Sequence, residues 1–180
     1  MHDYDTTFYS YGTDHQECLA HILRYLKDSM DNEPNCTWNG KMRTLLQDMI
    51  HYRNGLPPGT ECSEAKVTEF EAGYDEALQT AEEEYRENPP NEYYKDGYNL
   101  YMRMNQYRHN HLLFLHDCRV PATNNEAERL LRRYKRKQVQ AVSFRSQESL
   151  GYLCECMGML IMIRKNEEEN LFERVSRIFG

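Results

Sequence analysis

The sequence predicts a mainly α-helical fold with at most two short strands. Three observations predict it. Apolar residues recur at i, i+3 and i+4 through most of the chain, the spacing of a buried helix face. Breakers such as Pro34, Pro57, Pro58, Pro89 and Pro90 fall between those runs, not inside them. Capping residues such as Asn124, Ser146 and Asn170 stand where the next run begins.

The elements follow in order. Residues 1–16 are polar and aromatic, and MHDYDTTFYSYG reads as the end of a strand followed by a loop ending at Gly12. From Glu17 to about Met30 the pattern turns helical. Leu19, Ile22, Leu23 and Leu26 share a face there, Asp14 or His15 leads in, and Pro34 ends the run. Trp38 to Tyr52 is a second helix, with Met42, Leu45, Leu46, Met49 and Ile50 on one side. NGLPPGT, residues 54–60, is a turn. Glu64 to Glu87 is a long helix with Val67, Phe70, Tyr74, Ala77, Leu78 and Ala81 inward and a solvated acidic face outward; NPPN stops it. Tyr93 to Leu115 is one further long helix, with Tyr94, Tyr98, Tyr101 and Met104 at helical intervals. After the loop HDCRVPATNN, Thr123 or Asn124 caps a helix running to about Lys137. VQAVSF, residues 139–144, is a short strand or an extended loop. Ser146 caps an apolar helix, Gln147 to Lys165, whose Met157, Met159, Leu160, Met162 and Ile163 read as core. Asn170 with Glu173 starts a last short helix in the manner of a capping box.

A chain of 180 residues suits one domain, or one domain with an insertion, and can bury a core without disulfides. Apolar content of 39% and charged content of 28% exclude a disordered chain. The longest apolar run, Leu150 to Ile163, is interrupted by Glu155 and is too short to span a bilayer. The acidic, polar start carries no apolar leader, so a cytoplasmic protein with no membrane partner is expected. Six cysteines, none in C-x-x-C spacing, are expected to be reduced thiols; Cys154 and Cys156 are expected to be small core residues.

Net charge is −7, which argues against a general nucleic-acid coat protein. The distribution says more. Residues 61–92 hold eleven acids against Lys66 and Arg86, a local −9, whereas residues 124–145 hold seven Lys and Arg against two glutamates, a local +5. Within the basic segment, Glu128 sits about a turn inside a helix whose apolar side is Ala127, Leu130, Leu131 and Tyr134. One reading is a simple i, i+4 pair of Glu128 with Arg132 on a solvated face, contributing about 0.2–0.5 kcal/mol. The other makes Glu128 a ligand for Mg²⁺, a hard cation suited to oxygen. Paired ions of this kind drive phosphoryl transfer. The basic residues would then face a DNA backbone.

NNEAER, Asn124 to Arg129, followed by a basic helix, an extended segment and an apolar final helix, resembles the C-terminal part of the bacterial insertion-sequence transposases of the sixty-six family. HDYDTTFYSYG followed by CLAHILRYL is similar to that family's aspartate-loop segment and its C-x-A-H-x-x-R helix, filled here by Cys18, Ala20, His21 and Arg24. The match covers about residues 1–30 and 93–180. The resemblance implies a partial ribonuclease H-like α/β core with a large helical insertion and few or no strands retained. It divides the chain into a core remnant at 1–16, a helical region at 17–118 and C-terminal core helices at 119–180.

The implied reaction is metal-dependent DNA cleavage and strand transfer. Asp3, rather than nearby Asp5, takes the place of the second catalytic aspartate, and Glu128 that of the triad's glutamate. Both would hold Mg²⁺ or Mn²⁺. Arg129, Arg132, Arg133, Lys135 and Arg136 would contact phosphates; Asn124, Asn125, His21 and Arg24 would position the site. DNA, as transposon ends and target, is the implied partner, with a second copy or an upstream transposase polypeptide as a further one. The family's first aspartate has no counterpart here, so a truncated transposase with little activity alone is expected. With two carboxylates in place of three, it is expected to bind Mg²⁺ or Mn²⁺ weakly or not at all. The rival expectation is a non-catalytic helical module that binds DNA or a transposase through the 129–137 face. His109, His111, His116 and Cys118 match no zinc spacing and are expected to be a chance cluster.

Overall fold

The computed structural model describes residues 1–90, 96–140, 146–165, 170, 173 and 175–177. Seven helices stand among them: α1 (Leu19–Asn32), α2 (Trp38–Gly55), α3 (Glu64–Glu87), α4 (Asp96–Gln106), α5 (Arg108–His116), α6 (Asn125–Gln140) and α7 (Gln147–Lys165). A 3-10 turn at Thr6–Ser10 precedes them. The described chain is mainly α. Its one β pairing is a single parallel bridge between His2 and Glu17, where the sequence suggested the end of a strand.

The chain forms two compact units, Met1–Asn125 and Glu126–Gly180. In the first, α2 packs on α1 and α3, α4 packs on α1 and α3, and α5 closes on α3 and α4. Leu19, Ile22 and Leu26 of α1, Trp38, Met42, Leu46 and Met49 of α2, and Tyr74 and Ala81 of α3 are fully or almost fully buried. Burying each large apolar side chain contributes about 1.5–3 kcal/mol. Close approach between helices depends on small residues. A Cβ on Gly73 would stand 3.1 Å from Leu45 Cδ1, which brings α3 tightly onto α2. One on Gly97 would meet the Glu33 carboxylate and the Tyr85 hydroxyl, 2.8 Å from the latter, which are hydrogen-bonded to each other at 3.0 Å.

Tyrosines pack this unit, as their helical spacing suggested. Tyr85, Tyr98 and Tyr101 cluster with Trp38, whose indole N–H donates to Tyr85 at 3.3 Å. The acidic helix α3 differs from the purely solvated face expected of it. Glu84 receives the Thr37 N–H at 2.9 Å and the Thr37 hydroxyl at 2.6 Å, so it caps α2, whose own leading residue makes no side-chain cap. Asp75 takes Arg108 of α5 at 2.6 and 3.0 Å, and Glu71 lies 3.0 Å from His116. These acids sit where helix ends and cations of neighbouring elements need them.

Two boundaries differ from the sequence reading. The single helix expected from 93 to 115 is two, α4 and α5, broken at Tyr107, whose φ of −108° and ψ of 28° leave the helical region. Tyr93 and Tyr94 lie outside the described residues, as do 141–144 of the segment read as strand or loop. Helix α6 continues to Gln140, past the expected Lys137. Helices α3 and α7 keep the predicted limits. Of the last short helix, Glu173 and residues 175–177 are helical, Asn170 stands outside helix, and 171, 172, 174 and 178–180 lie outside the described residues.

The second unit corrects an expectation. No described residue of α7 is buried: Met162 is 70% exposed, Met159 and Leu160 are exposed, and Met157 and Ile163 are half-buried. Cys154 is exposed and Cys156 half-buried, so neither is a core residue. On α6, Leu131 is 60% exposed and Ala127 exposed, whereas Leu130 and Tyr134 are half-buried. Among the described residues, two helices alone offer too little depth to bury both apolar faces.

Candidate functional site

The N-terminal segment and the approach to α6 meet at Cys18. The His2 N–H donates to Gln16 O at 3.0 Å, and the Cys18 N–H donates to His2 O at 2.9 Å. The next N–H, of Leu19, donates to Ala122 O at 3.0 Å. Cys18 Sγ donates to Asn124 Oδ1 at 2.9 Å and accepts from the Asn124 N–H at 3.4 Å. Cys18 is 1% exposed and leads α1 without capping it through its side chain, so its thiol is available to a distant partner. Two stretches at opposite ends of the first unit, HDYD and ATNN, are therefore fixed to one residue.

Beside this junction lies a charged network. The Glu17 side chain is fully buried and accepts hydrogen bonds from Tyr9 Oη and from the Arg103 guanidinium, whose Nε stands 3.0 Å away. His111 Nε2 faces it at 3.2 Å, less well aligned than the other two. On the far side of the imidazole, Nδ1 meets Tyr74 Oη at 2.7 Å, and that hydroxyl donates to Met104 O at 3.1 Å. Burial by itself would raise the Glu17 carboxyl, but His111, Tyr9 and Arg103 outweigh it and hold it down at about 2. Burial and the Glu17 contact push the Tyr9 phenol upward. An ion set of this kind stabilises only while complete, because removal of one partner leaves a buried charge uncompensated. It fastens the N-terminal segment onto α3, α4 and α5.

The sequence-predicted residues stand as follows. Asp3 is exposed and directly follows His2, which is buried among the rings of Phe8, Tyr9 and His15. Asp5 is committed elsewhere: its Oδ1 accepts from the Thr7 N–H at 2.9 Å and caps the 3-10 turn. His21 is half-buried on the first turn of α1, and Arg24 is exposed one turn on. Asn124 is engaged by Cys18, and exposed Asn125 is the first residue of α6. Glu128 is half-buried, and its Oε2 accepts from Arg132 at 3.1 Å. Arg129, Arg132, Lys135 and Arg136 are exposed and Arg133 is half-buried. Because α6 is continuous, Arg129, Arg132, Arg133 and Arg136 fall at i, i+3, i+4 and i+7, a single cationic stripe about 10 Å long.

Among the described residues no group of three or more His, Cys, Asp or Glu gathers as a metal site. His111 Nε2 faces Glu17 and His116 Nε2 faces Glu71. Asp3, exposed, and Glu128, half-buried and paired with Arg132, are carboxylates, the oxygen-donor type that Mg²⁺ prefers.

A family profile described as the transposase IS66 family matches residues 2–151. The chain belongs to that family. Both motifs read from the sequence, C-x-A-H-x-x-R and NNEAER, lie inside the matched span. No curated protein and no solved structure matches the chain. No helix among the described residues is long and apolar enough to cross a membrane. Sequence reasoning missed the network of Glu17, Arg103, His111, Tyr74 and Tyr9, having read His111 as part of a chance cluster and Tyr74 as an inward-facing helix residue. Glu17 looked like the first residue of a helix, and only its adjacency to the Cys18 motif hinted at more. Its partners are 86 and 94 positions away for Arg103 and His111, a pairing that helical periodicity does not encode.

Proposed function

We propose that this transposase chain binds DNA through α6 and contributes Asp3 and Glu128 to a divalent-metal site for DNA cleavage and strand transfer, on a ribonuclease H-like plan. The observation that carries the DNA part is the arginine stripe of α6, which starts one residue after Glu128 in an otherwise acidic protein. Guanidinium groups on adjoining turns suit consecutive phosphates, since each offers a planar fork of donors. Glu128 would lie at the end of that track, where a phosphodiester is held. The Cys18–Asn124 contact supports the catalytic part, because it ties the Asp3 segment and the lead into α6 to a common residue.

Mg²⁺ or Mn²⁺, when bound, would supply the Lewis acidity that activates the attacking oxygen and stabilises the leaving one. Asp3 and Glu128 would hold it by carboxylate oxygen. Arg129, Arg133 and Arg136 would neutralise the strand; Arg132, paired with Glu128, would orient that carboxylate. Asn124 and Asn125 would set the start of α6, and His21 and Arg24 would line the approach from α1. The third carboxylate implied by the family has no matched position in these 180 residues, so this chain by itself is expected to bind metal weakly and to transfer strands poorly.

A second reading rests on the Glu128–Arg132 contact, which engages the carboxylate within its own helix. In it, the chain is a non-catalytic module that holds DNA or a transposase partner by the 129–137 face. The two readings part in a plasmid-nicking assay with Mg²⁺ or Mn²⁺ and the purified chain. Metal-dependent nicking, however weak, that disappears in Glu128→Gln supports the metal site. DNA binding with no nicking and no effect of Glu128→Gln on metal affinity supports the module. Failure to bind DNA would end the first reading and leave the second only its transposase-binding form.

A further inference from the structure

Helices α1 and α4 pack together, yet part of the facing surface is polar. From α1, Tyr25, Asp28 and Asn32 lie at i, i+3 and i+7; from α4, Asp96, Asn99 and Arg103 lie at the same spacing. Helix faces that meet a neighbour normally present apolar side chains at these positions. Here they line an open pocket of about 380 Å³, with Ser29 and Leu100 at its floor. Tyr4 forms the wall nearest the N-terminus. The Arg103 guanidinium lies 3.5 Å from the centre of the Tyr4 ring and 5.5 Å from that of Tyr25. Arg103 cannot swing away, because Glu17 grips it through two nitrogens. Tyr4 has a φ of 69°, in the left-handed region that non-glycine residues seldom occupy. Strain of that kind is retained where the surroundings impose it.

We propose that this pocket receives a single unpaired nucleobase from the DNA strand handled beside Asp3. The proposal rests on the DNA reading above and adds a base-recognition site to it. Three features select a base over other ligands. A pocket of this size holds a nucleoside. Tyr25 and the fixed Arg103–Tyr4 pair offer flat faces on which a base can stack. Asp28 and Asp96 repel phosphate, so the backbone must stay outside while the base enters. The same carboxylates accept hydrogen bonds, and Asn32 and Asn99 both donate and accept. An edge rich in N–H donors fits best, and guanine, with N1–H and its exocyclic amine side by side, matches a carboxylate with two bonds. Thymine, with one N–H between two carbonyl oxygens, fits worst. Tyr4 follows Asp3 directly in sequence, so a base stacked there would fix the strand next to the candidate carboxylate.

The test uses the full chain and duplex oligonucleotides that carry 2-aminopurine either paired or unpaired opposite a gap. Quenching of the unpaired probe and about tenfold tighter binding than to the paired duplex are expected. Tyr25→Ala and Asn99→Ala should remove that preference and leave paired-duplex affinity unchanged. Arg133→Ala should weaken both duplexes equally. Deoxyguanosine and thymidine, titrated separately at millimolar concentration and followed by tyrosine NMR signals, give the second arm. Guanosine-type shifts at Tyr4 and Tyr25, stronger than with thymidine, support the pocket even if no duplex binds, in which case the DNA reading alone falls. An unchanged paired-to-unpaired ratio in Tyr25→Ala, or no nucleoside shifts at Tyr4 and Tyr25, overturns the pocket while duplex binding through α6 stands.

Discussion

Cys18 Sγ and Asn124 exchange two hydrogen bonds across 106 residues of chain, the thiol donating to Oδ1 at 2.9 Å and accepting from the backbone N–H at 3.4 Å. A buried thiol is usually a small apolar filler with weak hydrogen-bonding capacity. This one joins the N-terminal bridge to the lead into α6. Cys18→Ala and Asn124→Ala should each lower the unfolding free energy by about 1 kcal/mol. The double variant should lose less than the sum, by about 0.5 kcal/mol or more. Urea denaturation of the four proteins measures this, and strictly additive losses would mean that the pairing contributes nothing.

The thiols should separate by reagent access. Cys154 is exposed and Cys18 is 1% exposed. Brief alkylation of the folded chain, read by peptide mass spectrometry, should modify Cys154 early and leave Cys18 untouched until denaturant is added. Early modification of Cys18 would contradict the burial that the junction requires.

The Glu17 network predicts a direction with pH. The folded carboxyl sits at about 2 against an ordinary 4.5, so the ionised form is favoured by folding. The stabilisation is complete above the unfolded value and disappears as pH falls from about 4.5 towards 2. At neutral pH, Glu17→Gln should cost about 3 kcal/mol. That gap between variant and parent should narrow steadily on acidification below about pH 4.5 in denaturant titrations. A gap that stays constant down to about pH 3 would show that Glu17 is not held ionised by its partners.

The arginine stripe predicts a salt dependence. Replacing Arg129, Arg133 or Arg136 by Ala should weaken DNA binding for any sequence. Each replacement should also lower the slope of log K against log salt by about 0.9 for every phosphate no longer neutralised. Fluorescence anisotropy at several salt concentrations measures the slope. Unchanged slopes in all three variants would move the DNA interface elsewhere.

Much of the fold was legible because helix periodicity is local. The limits of α3 could be read from its apolar spacing and the NPPN stop, and the start of α7 from Ser146 ahead of it. The split at Tyr107 could not, since no Gly or Pro marks it and the apolar spacing runs through. The apolar face of α7 misled for a different reason. Periodicity shows which side of a helix is apolar, not whether anything covers it, and Met159 and Met162 are exposed. At the candidate site, NNEAER and C-x-A-H-x-x-R stood out by residue type, and the structure adds that Cys18 and Asn124 touch. The Glu17 network stayed hidden because its members come from the N-terminal segment, α3, α4 and α5, and nothing in one segment specifies the others.

The proposed chemistry stands on Asp3 and Glu128 serving one divalent-cation site. Mn²⁺ titrated into isotope-labelled protein, with amide NMR signals as the readout, probes that sharing at the two positions themselves. The amides of Asp3 and Glu128 are expected to broaden together over the same range of metal concentration, and both effects should vanish in Glu128→Gln and in Asp3→Asn alike. Broadening of only one of the two, or disappearance at each position only when its own carboxylate is replaced, would rule out a shared site.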